Sequence, residues 1–268
     1  MRLTAMFIAL LMLPLTGCLQ TSTSEPSFRL ATTTSMRDSG LLDVLVSEFE
    51  ILHDVDVEYV AVGTGAALQL GMTGDVDALI VHAPQQEMNF IEDGYASERV
   101  PIARNSFVLL GPELYSNSIY DAFSLIFEEE RCFISRGDDS GTHAKEQAIW
   151  RHLNESRNYS MVEDSNGYHP QGEWYYSIGQ GMGAGINMAD EKSCVTLSDR
   201  GTALQFQSKI NLQRSEFNDT IMENQYSYLI VNSTNTSTSN LFQTFLLNEG
   251  KGIIANYTIN GDYAFFVD

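Results

Sequence analysis

Residues 28–81 contain, in order, FRLA (28–31), TTTS (32–35), GLLDVLVSEFEIL (40–52), VDVEYVAV (55–62), GTG (63–65) and DALIV (77–81). The segment 40–52 carries apolar residues at helical spacing, whereas 55–62 alternates between apolar and polar residues, which is typical of a strand. The helical pattern resumes at 66–72. A strand, a polar turn and a helix thus follow one another twice before a third, buried strand. This order predicts a parallel sheet covered by helices.

The same pattern starts again further along the chain. The further predicted elements are an extended run at 99–111, a strand at 131–135, a helix at 143–153, a glycine-rich helix start at 177–190, a strand at 194–197, a second extended run at 226–231 and a helix at 241–254. We expect the two extended runs to pair and to cross between two lobes, near Phe107 and Tyr228.

The sequence therefore predicts an α/β fold of two doubly wound lobes joined by two crossing strands. Lobe I is expected to contain residues 28–106 and 236–268, and lobe II residues 107–235. The chain has 268 residues, which is enough for two lobes of about 100 residues each.

The charge of the chain limits its partners. It has 35 acidic and 15 basic side chains, so the formal net charge is -20. Such a surface repels nucleic acid and anionic membranes, and no nucleic-acid partner is expected. An anion that binds this protein must be held by local geometry, because the overall field opposes it.

The N-terminus has the features of an export signal. Residues 1–17 combine a positive start at Arg2 with a short apolar run, which predicts a signal peptide. The sequence LTGC, ending at Cys18, resembles a lipobox, so Cys18 is the expected lipidation site and 18–27 the tether. The protein is then extracytoplasmic and anchored to the membrane by lipid. An ordinary signal peptide with an incidental cysteine is the alternative.

Three polar turns share one design, since each follows a strand, is rich in Ser, Thr and Gly, and opens a helix. They are 32–35, 63–65 and 135–142. A helix N-terminus offers unpaired N–H groups and the positive end of a dipole, which suits an anion. Any one of these turns could be a plain helix cap. Arg136 sharpens the prediction, because a guanidinium can bind two oxygens of a dianion and Asp138 could orient it.

The motifs also resemble those of a known family. They are ATTTS (31–35), SGLL (39–42), VGTG (62–65), SRGDDSGTH (135–143) and LSDRGT (197–202). In this order they resemble the tungstate-binding proteins of ABC-type uptake systems, within the type II periplasmic binding protein superfamily. The resemblance implies a Venus-flytrap protein, monomeric and without catalysis, metal site or cofactor, which closes on tungstate or molybdate and docks on an ABC permease.

The resemblance also implies a set of ligand donors. In lobe I these are the hydroxyls of Thr34, Ser35 and Thr64 and a backbone N–H near Gly65. In lobe II they are Arg136, Ser140, Thr142 and the N–H of Met182.

Other functions fit parts of the same sequence pattern. A phosphate-binding protein carries a similar run and needs an acceptor for the phosphate proton, which Asp138 or Asp139 could supply. A lipid-anchored anion sensor or surface lipoprotein is a further alternative. A hydrolase built on Asp139, Ser140 and His143 is disfavoured, because neighbours at one helix start do not converge as a catalytic triad does.

Two further cysteines, Cys132 and Cys194, each open a strand that leads to a motif turn of lobe II. We expect them to be neighbours. An exported protein permits a disulfide, whereas adjacent parallel strands rarely offer good disulfide geometry. A bond and a buried thiol pair therefore both remain open.

Overall fold

The computed structural model of the chain describes residues 27–232 and 236–267. The predicted signal peptide and Cys18 lie outside the described residues. The strands are β1 Ser27–Thr33, β2 Asp56–Val62, β3 Ala78–Val81, β4 Val100–Gly111, β5 Phe133–Ser135, β6 Met161–Asp164, β7 Gly167–Pro170, β8 Tyr175–Ser177, β9 Val195–Asp199, β10 Gln213–Glu216, β11 Glu223–Ile230, β12 Thr258–Ile259 and β13 Asp262–Tyr263. The helices are α1 Thr34–Asp38, α2 Leu41–His53, α3 Thr64–Thr73, α4 Pro84–Glu92, α5 Ile119–Glu128, α6 Gly141–Arg157, α7 Met182–Lys192, α8 Arg200–Phe206, α9 Thr236–Leu247 and α10 Glu249–Asn256.

A nine-stranded sheet runs through the described residues in the order β2-β1-β3-β11-β4-β9-β5-β8, with β10 also paired to β4. Strands β1, β2 and β3 are parallel to one another, and so are β5, β8 and β9. We call the first three strands and the helices after them the first half, and the second three with their helices the second half. The antiparallel strands β4 and β11 lie between the halves.

Strand β4 carries the chain from the first half to the second. Its residues 100–106 pair with β11, and from Phe107 onward it pairs with β9. This matches the predicted crossing near Phe107, and β11 pairs with β4 as expected. The return differs, because Glu223 already lies opposite Ser106 and Tyr228 pairs with Ile80 of β3. Tyr228 thus pairs directly with a strand of the first half, and the chain has returned to β4 opposite Ser106 by Glu223.

Each half has its own apolar core. The amphipathic α2 buries Leu45 and Phe49 against Phe242 in the first core. In the second core Phe123 and Trp150 pack edge to face. Aromatic pairs of this kind contribute about 0.5–1.5 kcal/mol beyond their buried area.

A disulfide joins Cys132 and Cys194, whose Cα atoms are 4.7 Å apart. Each cysteine stands one residue before its strand, and the two strands, β5 and β9, are parallel neighbours. The expected proximity is confirmed, and of the two open alternatives the structure has the bond.

The C-terminal hairpin of β12 and β13 ties the halves together. Asn260 Nδ2 donates to the carbonyl of Leu204 on α8, at 2.8 Å, and Arg214 of β10 pairs with Asp262 at 3.2 Å. After the hairpin, Phe265 is fully buried in the first core, where Leu204 also packs. The hairpin therefore attaches α8 to the first half.

Candidate functional site

The two sets of parallel strands end at a common cleft. A Cβ placed on Gly63, after β2, would lie 3.7 Å from the carbonyl oxygen of Asp138, after β5. A Cβ on Gly141, at the start of α6, would lie 2.9 Å from Cε1 of His82, after β3. The polar turns of the two halves therefore face each other, as expected for ligand sites beyond the carboxyl ends of α/β strands.

Ser35 and Thr64 are the buried hydroxyls of the first half. Ser35 Oγ lies 3.1 Å from Thr33 Oγ1 and 3.3 Å from His82 Nε2. Thr64 is fully buried at the start of α3, and its Oγ1 has no hydrogen-bond partner among the described residues. Thr34, the first residue of α1, is half-buried, and Gly65 is exposed. The structure thus groups all four predicted residues at two neighbouring helix starts.

In the second half Arg136 is the central charge. It is 3% exposed, and its Nε donates to Asp138 Oδ2 at 3.0 Å. Gln180 N–H donates to the carbonyl of Arg136 at 3.1 Å, which holds the start of α7 beside the arginine. Met182 is the first residue of that helix, so its N–H lies at the helix start.

Ser140 and Thr142 open α6. Ser140 is the N-cap and accepts from the His143 N–H at 3.3 Å, so it stabilises the helix start. Thr142 is 1% exposed, and its Oγ1 finds no partner in the part of the chain that the structure describes. The His143 ring faces Asp139, with Nδ1 and Oδ1 3.8 Å apart, and the Ser140 hydroxyl contacts the backbone amide of His143 and not its ring. This arrangement is a capped helix and not a nucleophile–base pair.

Ser177 belongs to the same cluster, although the sequence analysis did not select it. It ends β8 opposite Ser135 of β5, and its buried Oγ also lacks a partner within residues 27–232 and 236–267. Gly137 packs so closely there that a Cβ would lie 1.9 Å from that oxygen, and its φ is +57°. The sequence shows a polar segment at the end of β8, but it does not show that β8 lies beside β5 in the sheet.

His82 and Asn224 form a second set that the sequence analysis missed. His82 Nδ1 lies 2.8 Å from Asn224 Oδ1, and the ring stacks on Tyr226 with centroids 4.8 Å apart. The pKa of His82 is lowered to about 4, mainly by burial and also by the positive charges of Arg136 and Lys145, although the hydrogen bond with Asn224 raises it. The imidazole is therefore neutral near pH 7. Its place after a buried strand was a signal, since the other polar turns follow strands in the same way.

Asp199 is a buried carboxyl at the end of β9, within the LSDRGT segment at 197–202. It caps α8, accepting the Thr202 N–H on Oδ1 at 3.0 Å, and burial raises its pKa. The segment 197–202 is thus a strand end and a helix cap. Among residues 27–232 and 236–267 there is no group of three side chains that could hold a metal ion, and no helix there is long and apolar enough to cross a membrane.

Buried hydroxyls without partners are unusual, because each costs the desolvation of a polar group. Here Thr64, Thr142 and Ser177 lie at the turns that face the cleft, and the buried Arg136 belongs to the turn that leads to Thr142. Hydroxyl donors with one guanidinium suit a ligand that carries several acceptor oxygens. The fold and this cleft are those of a two-lobed solute-binding protein.

Comparison with known proteins gives the same class. The PBP superfamily domain matches residues 20–248. The chain is 37% identical to the tungstate-binding protein TupA of Peptoclostridium acidaminophilum, over 93% of this chain and 91% of that protein. The chain belongs to the PBP superfamily and, within it, to the family of the tungstate-binding protein TupA.

Two solved structures are similar. One is described as the tungstate ABC transporter from Geobacter sulfurreducens, with a TM-score of 0.71, 36% identity, and coverage of 86% of this chain and 98% of that one. The other is TupA from Desulfovibrio alaskensis, with a TM-score of 0.73, 30% identity, and coverage of 91% and 99%. The family and the fold class predicted from the sequence are therefore confirmed.

Proposed function

We propose that this protein captures tungstate, and also molybdate, between its two halves and delivers it to an ABC permease as a solute-binding protein without catalytic activity. The observation that carries the proposal is the pair of buried hydroxyls of Thr64 and Thr142, which stand on opposite halves without partners among the described residues, together with the buried Arg136 of the turn that leads to Thr142. The family relationship supports it, since the named relatives bind tungstate. The donors assigned here are Thr34, Ser35, Thr64, Arg136, Ser140 and Thr142, with the amides of Gly65 and Met182.

The state of the acidic residues favours tungstate over phosphate. Monohydrogen phosphate carries a proton and needs an acceptor, whereas tungstate at neutral pH carries none. Asp138 already accepts from Arg136 on Oδ2 and from the Ser140 N–H on Oδ1, at 3.3 Å. The Asp139 side chain is 97% exposed. Asp139 is therefore poorly placed to take the phosphate proton, and Asp138 is already engaged in orienting Arg136 and capping α6.

The test is a thermal-unfolding series with tungstate, molybdate, sulfate and phosphate on the soluble chain from Ser27 onward. A ligand that binds only the folded state raises the melting temperature by mass action. Tungstate and molybdate are expected to raise it strongly, and sulfate and phosphate far less. Equal or stronger stabilisation by phosphate would contradict the proposal and restore the phosphate alternative.

We further propose that Cys18 carries a lipid after removal of residues 1–17, and that 18–27 tethers the extracytoplasmic domain, a monomer, to the membrane. The sequence LTGC at 15–18 supports this. Mass spectrometry of the protein from its native membrane tests it, since an intact peptide across Gly17 and Cys18 would exclude the modification. Co-purification with a permease distinguishes transport from a sensor or surface role.

A further inference from the structure

The His82 ring is fixed in the first half on three sides. Its Nδ1 meets Asn224 at 2.8 Å, its Nε2 meets Ser35 at 3.3 Å, and its face stacks on Tyr226. Asn224 is held in turn, because its Nδ2 donates to Asn105 Oδ1 at 2.8 Å. The ring is 5% exposed. It is therefore a rigid surface that projects from the end of β3 toward the second half.

Gly141 of the second half rests against this ring. A Cβ on Gly141 would lie 2.9, 3.1 and 3.3 Å from Cε1, Nδ1 and Nε2 of His82. The other approach across the cleft is looser, since a Cβ on Gly63 would be 3.7 Å from Asp138. Of these two approaches, the one at Gly141 leaves no room for even a methyl group.

We propose that His82 and Gly141 form the contact that stops the cleft from closing further, and that this stop selects among tetrahedral oxyanions by size. The inference rests on the proposed function. Gly141 lies between Ser140 and Thr142. The position at which the start of α6 meets His82 therefore also sets the distance from Thr142 to the hydroxyls of Thr64 and Ser35. His82 acts as a positioning residue, since it contacts the donor Ser35 and the residue between two donors.

The size argument follows from bond lengths. Tungstate and molybdate have longer bonds from the central atom to oxygen than sulfate, at the same charge and shape. A gap that cannot shrink leaves sulfate short of one set of donors, and a lost hydrogen bond to a charged ligand is costly. Hydroxyls and a guanidinium alone do not distinguish these dianions, so the stop supplies a repulsive element of specificity.

The test is a double-mutant cycle of His82→Asn and Gly141→Ala, read by calorimetric titration with tungstate and sulfate. Asparagine places an amide near the position of Nδ1, so it retains a polar partner for Asn224 while removing Cε1. Because the Gly141→Ala clash exists only across the cleft, this variant folds but closes poorly. Gly252→Ala is the matched control, since Gly252 lies in a helix with nothing within 4 Å of a Cβ.

Gly141→Ala is expected to weaken tungstate binding about tenfold or more, the typical size of an overpacking effect. The double variant should bind within about threefold of His82→Asn, because the smaller side chain removes the closest contact, at Cε1, and the shorter amide can move away from the added methyl group. His82→Asn alone should lower the ratio of tungstate to sulfate affinity about tenfold.

The inference is overturned if Gly141→Ala binds tungstate as tightly as Gly252→Ala, or if the double variant is no tighter than Gly141→Ala. An unchanged tungstate-to-sulfate ratio in His82→Asn overturns the size selection. These outcomes leave the proposed function intact, whereas a wild-type protein that binds neither anion refutes both. If His82→Asn fails to fold, the comparison of Gly141→Ala with Gly252→Ala still decides whether the contact limits closure.

Discussion

Arg136 Nε lies 3.0 Å from Asp138 Oδ2, two residues further along the same turn between β5 and α6. The guanidinium is thus oriented by its own loop and held at 3% exposure. Asp138 also accepts the Ser140 N–H, so one carboxylate ties the arginine to the cap of α6. The charge that is proposed to meet the oxyanion is therefore positioned within a single turn of chain.

Replacing Arg136 tests its proposed role directly. Arg136→Ala is expected to weaken tungstate binding by roughly 2–5 kcal/mol, since it removes a charge-assisted donor and leaves Asp138 without its ion-pair partner. Arg136→Lys should recover only part, because the planar fork is lost. Calorimetric titration measures both variants, and unchanged affinity in Arg136→Ala would place the arginine outside the site.

Thr64→Val and Thr142→Val should each weaken tungstate binding by about 1–3 kcal/mol, because valine has the shape of threonine without the hydroxyl. The unliganded protein should lose no stability, since each hydroxyl is buried without a partner among the described residues. Thr258→Val, at an exposed position, is the control. A stability loss equal to the affinity loss would show that the hydroxyls serve the fold instead.

Closure of the cleft can be followed by solution scattering. Thr64 and Thr142 stand on opposite halves, so neither half alone offers the full donor set, and ligand should shift the population toward the closed form. The radius of gyration is expected to fall when tungstate is added. Gly141→Ala provides the comparison, because its fall should be smaller. No change in a wild-type protein that is open without ligand would refute the closure mechanism.

The buried His82 predicts a pH dependence of stability. Its pKa is lowered to about 4 in the folded protein from 6.5, mainly by burial. Between these values the unfolded chain binds the proton better, so stability should fall as the pH drops from 6.5 to 4, by roughly 3 kcal/mol at most.

Urea unfolding at pH 6.5 and pH 4.5 measures the effect. Burial raises the pKa values of Glu87, Glu146 and Asp199, which pushes the slope the other way in this range. The comparison with His82→Asn isolates the histidine, because that variant should have a smaller loss of stability on acidification. Parallel pH profiles for the two proteins would show that His82 does not titrate as the structure implies.

The Cys132–Cys194 bond closes a loop with a sequence separation of 62. Removing it in the double variant Cys132→Ser/Cys194→Ser should cost roughly 2–4 kcal/mol of unfolding free energy, since the unfolded chain regains the freedom of that loop. Tungstate affinity should stay the same, because neither cysteine is a proposed donor. Denaturant titration and calorimetry separate the two results.

Local patterns explain which elements could be predicted. The helix at 40–52 and the strand at 55–62 were visible because their apolar spacing is contained in the segment itself, and the structure has them at Leu41–His53 and Asp56–Val62. Helix α4 was not predicted from the sequence, because it buries only Glu87 and Phe90 and so has little apolar pattern. The predicted helix at 241–254 is in fact two helices, with Asn248 between them in a non-helical conformation.

Non-local pairing explains what was missed at the site. Ser177 joins the cluster because β8 pairs with β5, and His82 joins because Asn224 comes from β11, far away in sequence. No local pattern contains that information. The turns at 32–35, 63–65 and 135–142 could be predicted, because each helix start rich in hydroxyls and glycine is recognisable from its own local sequence.

The hairpin at the C-terminus has a consequence for the release of cargo. It holds α8 through Asn260 and β10 through Asp262, although its neighbour Phe265 is buried in the first half. Any opening must either move this segment along or break its polar contacts with α8 and β10. The C-terminal segment therefore acts as a tether, and its length and its contacts limit how far the two halves can separate. Substitutions in this segment, far from the proposed anion site, can thus slow or speed the release of the anion without changing the contacts that bind it.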